Sequence, residues 1–362
     1  MSIAQQTDRA DRLVALLPKA GVDLLLVADL VNLRYLTGFV GTNGLAVIGP
    51  STRVFATDFR YTTQAAEQVD PGFERRELPR NILSAIPELL PDGELRLGFE
   101  ATQLPYSIYS SLAEQLPQRV ELVPAEGLVE RMRAVKDAGE VERVREASAL
   151  ADAALGRLLA GGLAGRTERD AALELEITMR KLGAERPSFE TIVAAGPQGA
   201  LPHATSRDVE IGKGELVVID WGAQLDGYCS DCTRTIATGD PGELARRVYA
   251  IVLDAQLAGL RAVRAGAGRR AVDAAAREVI EAAGYGERFG HGLGHGVGLA
   301  IHEDPRLTAT AEGELEAGNA VTIEPGIYLP GQFGVRIEDL VVVADDGCEI
   351  LTSLPKELTV IE

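Results

Sequence analysis

Residues 214–239 read GELVVIDWGAQLDGYCSDCTRTIATG. Two β-type runs flank Asp226-Gly227, and that dipeptide between such runs is a strong hairpin signal. With Asp226 and Gly227 as the turn residues, Leu225 pairs with Tyr228 and, counting outward, Gly222 pairs with Asp231. Side chains alternate along a strand, so Asp220, two residues from Gly222, shares a face with Asp231. The two are then diagonal neighbours, about 7–8 Å apart at Cα. A turn slipped by one residue on both sides sets them directly opposite; only a three-residue loop separates them. Asp220 follows Leu-Val-Val-Ile. A carboxylate in an apolar strand is costly unless it is paired or bound to a cation. Rotation of one aspartate to solvent is the plainer alternative, and the apolar run before Asp220 argues against it.

A second acidic pair lies in AVTIEPGIYLPGQFGVRIEDLVVVA, residues 320–344. VTIE and VRIEDLVVV read as strands joined by a Pro- and Gly-rich loop. Glu324 ends the first and Glu338 sits inside the second. Arg336 shares a face with Glu338, and a salt bridge between them is the simplest account of that pair.

The chain has four histidines, and FGHGLGHGVGLAIHEDPR, residues 289–306, holds His291, His295 and His302. The fourth is His203. The glycines suggest a phosphate-binding loop, but the segment lacks GK[ST] and a fingerprint ahead of a helix, so nucleotide binding is rejected. HExxH is absent as well. Dense glycine permits close backbone approach and disfavours helix, which places His291 and His295 on an extended or irregular segment. Two carboxylate pairs with imidazole make a site for Mn²⁺, Fe²⁺, Co²⁺ or Zn²⁺, and several carboxylates imply two metals.

Outward from these segments, residues 1–125 read as a small α/β domain. GVDLLLVA (21–28), GLAVIG (44–49), RVFAT (53–57) and LRLGF (95–99) are strand-like, with helical patterns at 8–20 and 60–69 between them. Residues 123–140 read as the crossing into a long amphipathic helix at about 138–160. AGRTERDAALELEITMRKLGA (164–184) resembles AGRRAVDAAAREVIEAAGY (267–285). Each copy follows a longer helix and leads into a segment carrying histidine. Two copies are too few for a solenoid and fit a duplicated half folded about a pseudo-twofold axis.

Hydrophobic content of 46% and charged content of 25% are those of a soluble globular protein. The longest apolar runs, such as Val22–Ala28, are too short to span a bilayer. The N-terminus carries no apolar signal segment, so a cytoplasmic location is expected. A net charge of −18 argues against a nucleic-acid partner, whose phosphates need Lys and Arg. The three cysteines, Cys229, Cys232 and Cys348, fit reduced thiols. Cys229 and Cys232 form a CxxC with no second pair to close a zinc site, and they are expected to be packing residues.

The order Asp, Asp, His, Glu, Glu in DWGAQLDGYCSD, GHGLGHGVG, TIEPGIY and VRIED resembles the pita-bread metallopeptidases, which include methionine aminopeptidase, aminopeptidase P and prolidase. NLRYLTGFVGTNG (32–44) and TDFRY (57–61) are similar to the creatinase-type N-terminal domain of aminopeptidase P and prolidase, which methionine aminopeptidases lack. Creatinase itself shares the fold without the metal ligands. The resemblance implies a creatinase-type α/β domain at 1–125 and an α+β pita-bread catalytic domain at 126–362. It implies metal ligands Asp220, Asp231, His295, Glu324 and Glu338, with Asp231 and Glu338 bridging two divalent ions. Manganese is expected first, with cobalt or zinc as alternatives. His203, His291 and His302 match accessory histidines, and Tyr328 and Arg336 match the proline-specific branch. In the mechanism this implies, Glu324 shuttles a proton, His302 and His291 hydrogen-bond the scissile carbonyl, His203 flanks the proline, and Tyr328 and Arg336 orient peptide or ligands. The expected activity is that of an Xaa-Pro aminopeptidase acting on peptides with proline second, in a homodimer that binds neither nucleic acid nor membrane. Xaa-Pro dipeptidase is the alternative, and a metal-free peptide- or partner-binding protein is the reading from a different class.

Overall fold

The computed structural model describes residues 3–361, with the side chains of residues 3–8 and of residue 82 outside the description. The chain divides into two compact units, Met1–Arg133 and Ala134–Glu362. The division thus falls later than the boundary at 125 expected from the sequence. The reason is helix Leu128–Ala134, whose Leu128, Val129 and Met132 are buried. Asn32 in the front unit donates to Glu130 at 2.8 Å and accepts from Arg133 at 2.7 Å, which ties this helix to that unit.

The front unit runs α1 (Ile3–Ala20), β1 (Leu24–Val27), α2 (Leu30–Thr37), β2 (Gly44–Gly49), β3 (Thr52–Thr57), α3 (Thr62–Gln68), β4 (Glu74–Glu77), β5 (Leu95–Glu100), α4 (Tyr106–Gln115), β6 (Val120–Ala125) and α5 (Leu128–Ala134). Its six strands form one mixed sheet in the order β4-β3-β2-β1-β5-β6. Every residue of β1 and β2 is buried, as continuous apolar runs covered on both faces require.

The second unit begins with two helices, α6 (Ala138–Ala160) and α7 (Glu168–Leu182). Asp137 and Glu140 close a capping box at the start of α6, which sets its first residue. Strands β7 (Arg186–Pro187), β8 (Ile192–Ala195), β9 (Leu216–Trp221), β10 (Ala223–Leu225), β11 (Tyr228–Cys229) and β12 (Cys232–Ala237) follow. The pattern then recurs: helices α8 (Glu243–Ala262) and α9 (Arg269–Ala282), then β13 (Gly294–Gly296), β14 (Glu303–Leu307), β15 (Ala320–Ile323), β16 (Gly326–Leu329), β17 (Phe333–Arg336), β18 (Asp339–Ala344) and β19 (Gly347–Ile350). The halves match in detail. Thr167, the N-cap of α7, bridges Glu210, and Gly268, the N-cap of α9, bridges Glu314. Leu155, Leu175 and Met179 cover Val217, Ile219 and Trp221, while Val252, Ala276 and Ile280 cover Ile323 and Val341. The internal similarity in the sequence is therefore a structural duplication.

Each half contributes one hairpin to the centre. In the first, Leu225 faces Tyr228, Trp221 faces Cys232 and Asp220 faces Thr233, one continuous count from the Asp226-Gly227 turn. Both turn residues have positive φ, 46° and 82°, the two-residue turn that Asp-Gly favours. In the second, Ile323 faces Asp339 and Gly326 faces Arg336, again one count. VRIEDLVVV is not one unbroken strand as the sequence suggested. It splits into β17 and β18 at Ile337–Glu338, because the Glu338 N–H donates to Thr233 O at 3.1 Å, across to the other hairpin.

Among the described residues no helix is long and apolar enough to cross a membrane. Gly222 sits where the first hairpin is tightest: a Cβ there would lie 2.0 Å from the Ser230 carbonyl oxygen. Gly222→Ala is expected to lose roughly 1–3 kcal/mol of stability through overpacking, read by urea unfolding. It should also weaken metal retention, since it displaces the strand between Asp220 and Asp231.

Candidate metal centre

The hairpins bring four carboxylates together. Oxygens of Asp220, Asp231 and Glu338 all lie within 4.8 Å of one another. Glu324 follows the last residue of β15 and is drawn in through His295, whose Nε2 is 3.4 Å from Glu324 Oε1 and 3.5 Å from Asp231 Oδ2. Asp220 and Asp231 share a face, as the two-residue turn requires, and all five residues proposed as ligands line one cavity.

Glycines make room for His295. A Cβ on Gly294 would lie 1.9 Å from Thr322 O, and one on Gly296 would lie 2.2 Å from Asp304 O. β13 therefore wedges between β14 and β15, and a register shift between Gly294 and Gly296 re-aims the strand at the histidine. The imidazole Nδ1 is 3.0 Å from Gly296 O. With the proton held there, the Nε2 lone pair faces the carboxylates, the arrangement of a metal-binding histidine.

Electrostatics describe the same need. Burial pushes the Asp231 carboxyl well above the carboxylate range, with Glu338, Asp220 and Glu324 adding repulsion. Burial raises Glu338 in the same way, and raises Glu324 to about 7. Asp220 is raised by burial, against the pull of Arg336. Burial lowers His295 to about 3. Crowded anions that resist ionising, beside an imidazole that resists protonation, fit bound cations. Asp220 Oδ1 is buried with no hydrogen-bond partner, an acceptor directed into the cluster.

Arg336 does not pair with Glu338, the partner suggested by the sequence. Its Nη2 donates to Asp220 Oδ2 at 2.7 Å, and its other nitrogens reach Thr233 Oγ1 at 2.9 Å, Tyr328 Oη at 2.9 Å and Pro202 O at 3.2 Å. The strand break after Ile337 turns Arg336 toward the first hairpin. Tyr328 Oη in turn lies 2.9 Å from His291 Nε2, and His291 Nδ1 lies 2.8 Å from Gly292 O. With Arg336 donating into the phenol oxygen, the phenol proton points at Nε2 and Nδ1–H serves Gly292. Both nitrogens of His291 are thus engaged, and burial holds the ring neutral by lowering it to about 4. His291 lines the cavity wall while held at both nitrogens by this chain.

His203 and His302 line the same cavity of about 560 Å³, with Phe189, Ile192 and Ile301 as apolar walls. The His302 ring packs edge-on against His295, centroids 4.4 Å apart. Cys229 and Cys232 are buried free thiols off the cavity lining, and Cys232 Sγ lies 3.3 Å from Glu338 O. Sequence reasoning missed Thr233, which donates to Glu338 Oε2 at 2.8 Å, and Arg306, whose guanidinium lines the cavity. The signal for Arg306 was alternation: along β14, Glu303, Pro305 and Leu307 are buried while Asp304 and Arg306 face out.

Residues 142–345, more than half of the chain, match Metallopeptidase family M24, and residues 9–135 match the creatinase/prolidase N-terminal domain. The chain belongs to metallopeptidase family M24. M24 enzymes depend on a dinuclear metal centre, and the acidic cluster is compatible with one. This M24 chain is 36% identical to an Xaa-Pro dipeptidase of Pyrococcus furiosus, over 97% of its own length and 99% of the relative's. Among solved structures it is similar to an Xaa-Pro dipeptidase from Bacillus anthracis, with TM-score 0.94, 41% identity, and coverage of 98% of this chain and 100% of that one. It is also similar to an X-Pro aminopeptidase from Thermotoga maritima, with TM-score 0.89, 37% identity, and 98% and 100% coverage.

Two outcomes follow from the charge crowding. Asp231→Asn keeps shape but removes a central charge; metal analysis should show loss of bound ions, with circular dichroism unchanged. Near-normal turnover in that variant would refute the hairpin geometry. In chelated protein, Glu324 holds its proton up to about pH 7, against an ordinary 4.5. Its contribution to stability is present below 4.5 and lost as pH rises through about 7. The melting temperature of chelated protein should fall between about pH 5 and pH 8 more steeply in wild type than in Glu324→Gln. Equal slopes would refute the assignment.

Proposed function

We propose that this metallopeptidase is an Xaa-Pro dipeptidase, which puts the alternative drawn from the sequence ahead of the aminopeptidase reading. One observation carries the choice. A dipeptide presents a free proline carboxylate, and a dipeptidase needs a cation to receive it. Arg336, expected from the sequence to orient peptide or ligands, is buried and engaged with Asp220. Arg306 lines the cavity and forms no ion pair among the described residues. Its guanidinium suits bidentate capture of a carboxylate. The names of the Pyrococcus and Bacillus relatives point the same way. The likeness to the Thermotoga aminopeptidase keeps Xaa-Pro aminopeptidase as the second reading.

Asp220, Asp231, His295, Glu324 and Glu338 would hold two divalent ions, and the oxygen-rich set with one imidazole suits Mn²⁺. When bound, such ions supply Lewis acidity at the scissile carbonyl and an activated water. Glu324 takes the proton of the attacking water and delivers it to the leaving proline nitrogen. His302, on the cavity wall, donates to the carbonyl oxygen as charge develops there. The carboxylates receive the free substrate amine, His203 flanks the proline ring, and Arg306 closes the far end on its carboxylate. Arg336, Tyr328 and His291 hold Asp220 in place.

kcat/KM for an Xaa-Pro dipeptide should exceed that for Xaa-Pro-Xaa and longer peptides. Arg306→Met should raise KM for the dipeptide about tenfold or more while leaving the dipeptide amide nearly unchanged. Preference for the longer peptides would return the assignment to aminopeptidase, and equal cleavage with alanine in place of proline would remove proline specificity. His302→Ala should lower kcat by about 10²–10³ while metal content stays near wild type. Loss of metal instead would make His302 a ligand.

A further inference from the structure

Nothing bonded to the His302 ring explains where it stands. Among the described residues it has no hydrogen bond to a side chain or backbone group, and its one ring contact is the edge-on packing against His295. Its position is set by the backbone of residues 297–303, and that backbone is wrapped around the side chain of Glu303. Glu303 pairs with Gly296 in β14, beside the metal-site strand, and turns its carboxylate back under the loop. Oε1 accepts from the Ala300 N–H at 2.9 Å. A Cβ on Gly298 would lie 2.7 Å from Oε2, so the loop passes close over the carboxylate, and a larger residue there would push that side chain aside. The Gly298 carbonyl is anchored from the other hairpin by Cys229 N–H at 2.8 Å.

A further partner of that carboxylate is Lys136, whose Nζ reaches Oε2 at 3.2 Å and Ala134 O at 3.4 Å. The side chains of Lys136 and Glu303 are 1% and 4% exposed. A buried ion pair is weak evidence for stability, because an apolar pair of the same volume often does as well or better, and in some proteins such a pair is kept for the geometry it specifies. Here the geometry specified is that of the segment carrying His302. Lys136 stands just before α6, and its own backbone is fixed by Lys136 N–H to Gly318 O at 2.9 Å. The anchor is therefore tied to the frame of the unit.

The geometry points to Lys136 and Glu303 as a pair of positioning residues that hold His302 over the metal-site histidine, setting turnover without touching substrate or metal. This rests on the assignment of His302 as the carbonyl donor, and the tests separate the two. Glu303→Gln keeps an acceptor for Ala300 but removes the charge that holds Lys136. The double variant Lys136→Met/Glu303→Gln removes both charges and leaves no unpaired buried ion, so it folds if the single variant does not. Metal-loaded variants are assayed on whichever proline peptide the wild type cleaves best. kcat should fall about tenfold or more, with KM within about threefold and metal content unchanged. In a His302→Ala background the same changes should cost less than about twofold more, since the effect runs through that ring. Losses that multiply in the double background would show a merely structural role and overturn the proposal.

A second readout is independent of catalysis. In full-length, metal-free protein, carbethoxylation of His302, followed by peptide mapping, should run about threefold faster in either variant, as the ring leaves its packing against His295. If His302→Ala retains wild-type turnover, the donor assignment falls, and the positioning pair is judged on this rate alone. Faster modification then supports it, and an unchanged rate overturns it.

Discussion

Four carboxylates, two of them buried and two half-buried, crowd together where the two hairpins meet and repel one another. Burial alone raises Asp220, Asp231, Glu324 and Glu338, and mutual repulsion raises Asp231 and Glu338 further. The protein supplies one fixed cation, Arg336, and places it against Asp220. One guanidinium cannot balance four carboxylates. The remaining deficit is one that bound cations would fill, which would couple metal binding to the folding of this centre.

Close backbone approach makes the crowding achievable. Gly222, Gly294 and Gly296 each sit where a methyl group would meet a carbonyl oxygen of the neighbouring strand. Two hairpins of the same construction, one from each half, meet where Thr233 O receives the Glu338 N–H and Thr233 Oγ1 donates to Glu338 Oε2. Duplication thus explains how one chain gathers so many acidic groups: each half needs only one hairpin with two acids on the face turned to its twin.

Around this centre the side chains fall into distinct physical roles. Arg336, Tyr328 and His291 form a hydrogen-bonded chain from Asp220 to the backbone at Gly292. His302, His203 and Arg306 face the cavity, and apolar Phe189, Ile192 and Ile301 complete its wall. A ligand with an apolar ring and one carboxylate matches that lining, as does proline at the end of a dipeptide.

Periodicity and turn chemistry determined much of this protein from the sequence alone. Asp-Gly between two apolar runs set the turn, the turn set the register, and the register put Asp220 and Asp231 on one face, because side-chain direction along a strand has a period of two. Amphipathic patterning placed the long helix at about 138–160, and two similar segments pointed to the duplication. Other features depend on contacts between segments far apart in the chain. The boundary lies at residue 133 and not at 125 because Asn32 reaches α5. Glu338 leaves the line of its own strand because its N–H finds a carbonyl in the other hairpin. Arg336 chooses Asp220 over its near neighbour Glu338 for the same reason, and His291 is tied to Tyr328. Arg306 reaches the cavity wall from β14, a placement that depends on the tertiary fold. Local rules decide which way a side chain points along its own strand; which group it meets is decided only when the two halves close on each other.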